Sequence, residues 1–190
     1  MPKVGMEPIR RAALVEATIA EIGAAGSLDV TVGQIAKRAG MSTALAHHYF
    51  GGKDQIFLAA MRKILRDFGQ EVVTALRAAT TPRARAEALI AASFAPSSFA
   101  PATVSAWMTL YAQATTHPDT HRVLRLYQKR LLTNLTHALR PLSAQPADDA
   151  ALLGALIDGL YLRAAFGGDG AEVAEATALR ALNVLIGARS

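Results

Sequence analysis

Two short helical segments punctuated around a single glycine constrain this chain more than any other feature. In "TVGQIAKRAGMSTALAHHYF", residues 31–50, Thr31 is followed three places later by Gln34, the reciprocal pairing that closes a helix N-terminus. Ile35 and Ala36 supply a short apolar face, and Gly40 ends the segment in the manner of a C-terminal glycine. Ser42 or Thr43 then caps a second short helix that reaches about His48. A helix, a brief turn containing glycine and a second short helix together form the sequence image of a helix-turn-helix. Ala44 and Ala46 keep the second helix slim enough for a major groove about 12 Å wide.

The rest of the chain reads with the same 3.6-residue period. Ile9 to Ala25 places Leu14, Ala17, Thr18, Glu21 and Ile22 at helical spacing and stops at Gly26. Lys53 to about Leu76 forms one long helix after "GG". Further helices are expected over roughly Pro82–Ala95, Pro101–Thr116, Pro118–Leu139, Asp148–Phe166 and Gly170–Gly187. Prolines 82, 101 and 118 fall in first turns, where a missing N–H costs nothing. "PLSAQPADD" and "FGGDG" read as loops. The expected fold is all-α with about nine helices. A small N-terminal unit of three short helices, residues 1–52, precedes a larger helical bundle, residues 53–190.

Composition narrows the classes. With 52% hydrophobic and 18% charged residues the chain has material for a core. It has no cysteine, which excludes thiolate metal sites and disulfides and fits a reducing cytoplasm. No apolar run suggests a secretory signal or a membrane span. The net charge is +5, and the excess is N-terminal: residues 1–66 hold nine Lys/Arg against five Asp/Glu, the remainder eleven against ten. That bias points mildly to a polyanionic partner.

The adjacent His47 and His48 raise the question of a metal or catalytic site. Neighbours on a helix point about 100° apart, so they do not share a metal as an i, i+4 pair does. No acid lies within a turn to orient either ring. No metal and no cofactor is expected, and no nucleophile–base or paired-carboxylate constellation supports an enzyme. Ser42 and Thr43 instead put hydroxyls and free N–H groups at a helix N-terminus, which favours a phosphate, as Thr31 does one helix earlier. Tyr49 and Lys53 follow where a phenol and an ammonium hold a sugar-phosphate backbone. His47 suits a solvent- or DNA-facing position, while His48 either packs on the three-helix core or faces outward.

"TVGQIAKRAGMSTALAHHYFGGKDQIFLAAM" resembles the DNA-binding unit of the tetracycline-repressor (TetR) family. The resemblance implies a dimeric repressor on double-stranded DNA, with contacts from Thr31, Ser42, Thr43, Ala44, His48, Tyr49 and Lys53. "MPKVGMEPIRR", "SAWMTLYAQATTHPDTHRVLRLYQKRLLTNL" and "ALIDGLYLRAA" extend the likeness to a choline-responsive branch that controls glycine betaine synthesis. That implies choline or another organic cation as inducer. The chain departs from the branch at Ala44, where glycine is usual, at Leu110-Tyr111, where Phe-Trp is usual, at Tyr161, where Trp is usual, and at Ala95, where an acid is usual.

Aromatics make up only 6% of the chain, yet several gather late. Trp107 and Tyr111 are i, i+4. Asp158 and Tyr161 are i, i+3 inside the apolar run "LLGALIDGLYLRAAF", where an unpaired carboxylate is costly. One reading is a core in which Arg163 or a backbone N–H satisfies Asp158. The other is a cation pocket lined by Trp107, Tyr111, Phe94, Phe99, Asp158 and Tyr161. The faces Gly154, Ala155, Gly159, Leu162 and Ala178, Ala181, Leu182, Leu185 are small and apolar, as in a four-helix dimer contact. Three functions therefore remain: a choline-responsive repressor, a repressor answering to another small molecule, and a DNA-binding dimer without ligand control.

Overall fold

A computed structural model describes residues 5–26, 29–168 and 170–187. Among these the chain is helical throughout, without strands, in the order α1 (Met6–Ala25), α2 (Val32–Arg38), α3 (Thr43–Phe50), α4 (Lys53–Ala78), α5 (Pro82–Ser93), a 3-10 turn (Pro96–Phe99), α6 (Pro101–Ala114), α7 (Pro118–Leu139), α8 (Pro146–Ala165) and α9 (Gly170–Gly187). The expected all-α class holds. The ends of α7 and α9 fall where the sequence put them; α1 begins three residues early.

Local chemistry explains the short helices. Thr31 Oγ1 accepts from the Gln34 N–H while Gln34 Oε1 accepts from the Thr31 N–H at 2.7 Å, so the capping box is complete. At the other end Gly40 adopts φ 67°. Its N–H reaches the Lys37 carbonyl at 3.1 Å and the Met41 N–H reaches Ala36 at 2.9 Å, the paired bonds of a Schellman termination. Ser42 caps α3 by accepting from the Leu45 N–H, and Gly51 at φ 80° closes it. α8 starts at Pro146, inside a stretch expected to be loop, because proline's fixed φ suits a first helical turn even without a side-chain cap.

The chain forms two compact units. The first comprises residues up to Arg66 together with Ala100–Leu124; the second comprises Asp67–Phe99 and the residues from Arg125 onward. This packing division cuts across the expected boundary at 52/53. In the first unit Leu14, Ile22, Ile35, Ala36, Ala46, Ile56, Met61 and Leu110 form the fully buried core. Gly23 of α1 lies so close to Ala102 that an added Cβ would stand 2.8 Å from the alanine methyl. In the second unit α8 and α9 pack around Leu153, Ile157, Ala178 and Leu182, and Gly154 sits beneath Leu131, Leu132 and Leu135 of α7.

Candidate nucleic-acid interface and aromatic cluster

α3 turns Ala46 fully inward and leaves Ser42, Thr43, Ala44, His47 and His48 exposed. Residues 43, 44, 47 and 48 share one side of a helix by the i, i+4 rule, so a slim, hydrogen-bonding face looks outward. His48 lies on that face and not in the three-helix core. His47 Nδ1 lies 3.1 Å from the Gly51 carbonyl; the Nδ1–H tautomer donates there and leaves Nε2 as an outward acceptor.

The N-termini of α2 and α3 meet beside Gly33, whose added Cβ would be 3.7 Å from both Thr31 Oγ1 and Thr43 Oγ1. Thr31's hydroxyl is committed to Gln34, donating to Oε1 at 2.8 Å. What Thr31 offers an anion is therefore its position at a helix N-terminus rather than a free hydroxyl. Lys53 opens α4 immediately after Gly51-Gly52 and is half-buried.

Tyr49 and Phe50 are half-buried at the end of α3, and α1 supplies a brace that sequence reasoning missed. The Arg11 guanidinium lies 5.6 Å from the Tyr49 ring centroid and 5.1 Å from that of Phe50. Arg11 also pairs with Glu7 at 2.8 Å, and Arg10 Nη1 donates to the Tyr49 hydroxyl at 3.4 Å. A cation held over two rings fixes the pitch of the helix carrying them, at roughly 0.5–1 kcal/mol for an exposed contact. The only sequence signal was a pair of arginines one helical turn before the buried Leu14 of α1.

The expected ligand residues fall in both units. In the first, Trp107 and Tyr111 have ring centroids 6.0 Å apart, and Trp107 is only 8% exposed. In the second, Phe94 is buried, and Phe99 meets Tyr161 at 5.1 Å. The Tyr161 hydroxyl donates to the Ser98 carbonyl at 2.8 Å, and burial pushes its phenol well above the ordinary range. Asp158 is satisfied by neither Arg163 nor a backbone N–H: it accepts from the Tyr127 hydroxyl at 3.1 Å. Burial raises its carboxyl above the ordinary value, and the Tyr127 hydrogen bond opposes that rise. Tyr127 in turn meets Phe68 at 6.1 Å, which brings in two rings the sequence did not assign to the site.

The expected dimer faces need correction. Gly154, Ala178 and Leu182 are buried within the protomer, because α8 and α9 pack on α7 and on each other. The outward positions are Ala155 and Gly159 with Leu152 on α8, and Val173 and Val184 on α9; Leu152 and Val184 are 60% and 68% exposed. No group of three or more His, Cys, Asp or Glu with metal-binding proximity occurs among the described residues.

Comparison with known proteins bears on both halves. Residues 14–60 match the family model for bacterial regulatory proteins of the tetR family, and residues 82–187 match the model for the C-terminal region of BetI-type transcriptional repressors. The HTH-type transcriptional regulator BetI of Brucella anthropi is 51% identical over 181 residues, covering 94% of this chain and 93% of that protein. BetI of Rhizobium meliloti is 49% identical over 167 residues, covering 86% and 81%. Among solved structures, a TetR transcription regulator from Haloarcula marismortui superposes with a TM-score of 0.85 at 21% identity, covering 94% of this chain and 98% of that one. A transcriptional regulator from Saccharomonospora viridis, solved in complex with choline, superposes with a TM-score of 0.82 at 22% identity, covering 92% and 95%.

Proposed function

The chain belongs to the TetR family of DNA-binding transcriptional regulators, as a repressor of the BetI type, and on that premise we propose that it is a homodimer released from its operator by choline. Residues 1–52 serve as the head that meets DNA, and residues 53–190 carry the ligand site and the dimer contact. The protein works in the cytoplasm as a switch without chemistry of its own.

The observation that carries the DNA half is the outward face of α3. Ala44, His47 and His48 face the bases, and Thr31, Ser42, Thr43, Tyr49 and Lys53 hold the backbone. Two heads related by a two-fold axis read an inverted repeat with half-sites about one helical turn, roughly 34 Å, or a multiple apart. The exposed apolar positions Leu152, Ala155, Val173 and Val184 support α8 and α9 as the paired surface.

Choline as inducer is supported by the BetI relatives and by the choline complex of the Saccharomonospora viridis regulator. A ligand shifts the equilibrium only as far as it prefers the non-DNA-binding arrangement. The burial of Phe94, Trp107 and Tyr161 favours a second reading, in which the bundle is filled and serves only to dimerise. Operator release measured by fluorescence anisotropy separates the two. Choline is expected to release the DNA, and its neutral isostere 3,3-dimethylbutan-1-ol to do so far less. Equal release by both overturns the cation reading, and release by neither favours the unliganded dimer.

A further inference from the structure

Phe68 from α4, Tyr127 from α7 and Asp158 from α8 converge in the second unit, and we infer that this triad is the seat for the cationic head of the ligand. The inference rests on the organic-cation reading above and says where within the second unit the charge is met. A seat for a quaternary ammonium needs ring faces and negative potential, because the ligand has no N–H to donate. It also needs surface that the protein has not already covered. Phe94, Trp107 and Tyr161 are 3%, 8% and 9% exposed, so their faces are largely spent on packing. Phe68, Tyr127 and Asp158 are all half-buried, dry enough to strengthen a charge interaction and open enough to meet a ligand.

Asp158 supplies a second, independent argument. Its hydrogen bond comes from a neutral phenol, not from an arginine or lysine, so the carboxylate's charge is left for something else. Desolvation makes that charge unfavourable in the folded chain, and the phenol offsets only part of the cost. An asparagine would accept the same bond from Tyr127 without the cost. A charge kept at the expense of stability, beside two accessible rings, is what binding of a cation explains and core packing does not. Tyr127 then has two roles: its hydroxyl orients the carboxylate, and its ring presents a face.

The test is calorimetric titration of the full-length protein with choline chloride, with tetramethylammonium as a probe of the head alone. Asp158→Asn is expected to weaken choline about tenfold or more while raising the melting temperature at neutral pH, which separates loss of the charge from damage to the fold. Tyr127→Leu removes a ring and is expected to weaken both cations about tenfold; Tyr127→Phe, which keeps the ring, only a few-fold. Wild-type affinity in both Asp158→Asn and Tyr127→Leu overturns the seat and leaves the cation reading standing. Loss of binding in Trp107→Phe alone would then move the seat to the first unit. A wild-type protein that takes up neither cation brings down the cation reading and the seat with it.

Discussion

Gly23→Ala tests the closest helix contact in the first unit. Two effects of known size oppose each other. Replacing glycine inside an exposed helix by alanine is worth about 1 kcal/mol in favour of folding. Here the new methyl would stand 2.8 Å from Ala102 Cβ and 3.3 Å from the Ala102 Cα and backbone nitrogen. Carbon atoms rest about 3.5–4.0 Å apart, so α1 and α6 must separate locally by about 0.7 Å or more. No side-chain rotation relieves this, since the obstacle is a methyl fixed to backbone at the start of α6. Overpacking of this kind costs about 1–3 kcal/mol. The net expectation is a loss of about 1 kcal/mol, or a melting temperature lower by about 2–4 °C for a chain of this length.

The control is reciprocal. Ala102→Gly removes the opposing methyl and by itself costs at most about 1 kcal/mol in helix propensity. If the clash is the cause, the double variant is more stable than the two single losses added together, by at least about 0.5 kcal/mol in urea denaturation. Additive losses would refute the argument, because they would mean that the two methyls do not meet.

Three further outcomes are expected. Lys53→Ala should weaken binding to all DNA sequences alike and reduce the salt slope by about one unit, whereas Arg11→Met should weaken operator binding about threefold with little change of slope, both read by anisotropy across a salt series. Because the Asp158 carboxyl is raised in the folded chain, its contribution to stability is fully present below its ordinary value of 3.8 and is lost as pH rises through the folded value. The melting advantage of Asp158→Asn should therefore be absent in acid and appear as pH climbs above that window; an advantage constant with pH would remove ionisation as its cause. Leu152→Arg with Val184→Asp should yield folded monomers in sedimentation that hold DNA poorly, and a variant that stays dimeric would place the interface elsewhere.

The features legible in the sequence are those decided by neighbours along the chain. The Thr31–Gln34 box, the stop at Gly40 and the Ser42 cap involve residues three to five places apart, and each is a backbone hydrogen-bonding problem with few solutions. An outward place for His47 was expected, whereas Ala46, read only as keeping α3 slim, is fully buried. The opening of α8 at Pro146 was missed because a proline in a polar stretch signals a loop and a first turn equally well. The remaining features depend on tertiary contact. Tyr49 meets Arg10 across 39 residues and Tyr127 meets Asp158 across 31, and nothing in either local pattern selects those partners over others. The small-residue faces of α8 and α9 misled for a related reason. Periodicity shows that a face is apolar, and only packing shows whether α7 or a second copy covers it.

The division of the chain by family and its division by packing do not coincide, and the difference falls on α6. Residues 101–114 lie within the region that matches BetI-type C-terminal domains, yet α6 packs against α1 as part of the first unit. On its N-terminal side it is joined through Ala100 to the 3-10 turn, where the Tyr161 hydroxyl holds the Ser98 carbonyl. Only Phe99, Ala100 and Pro101 lie between Ser98 and Ala102, which touches α1 at Gly23 without slack. A contact with no spare volume does not absorb a displacement; it passes it on, because close-packed groups resist compression. Since α1 also carries Arg10 and Arg11, which hold the end of α3 through Tyr49 and Phe50, the outward face of α3 depends on how α6 is seated.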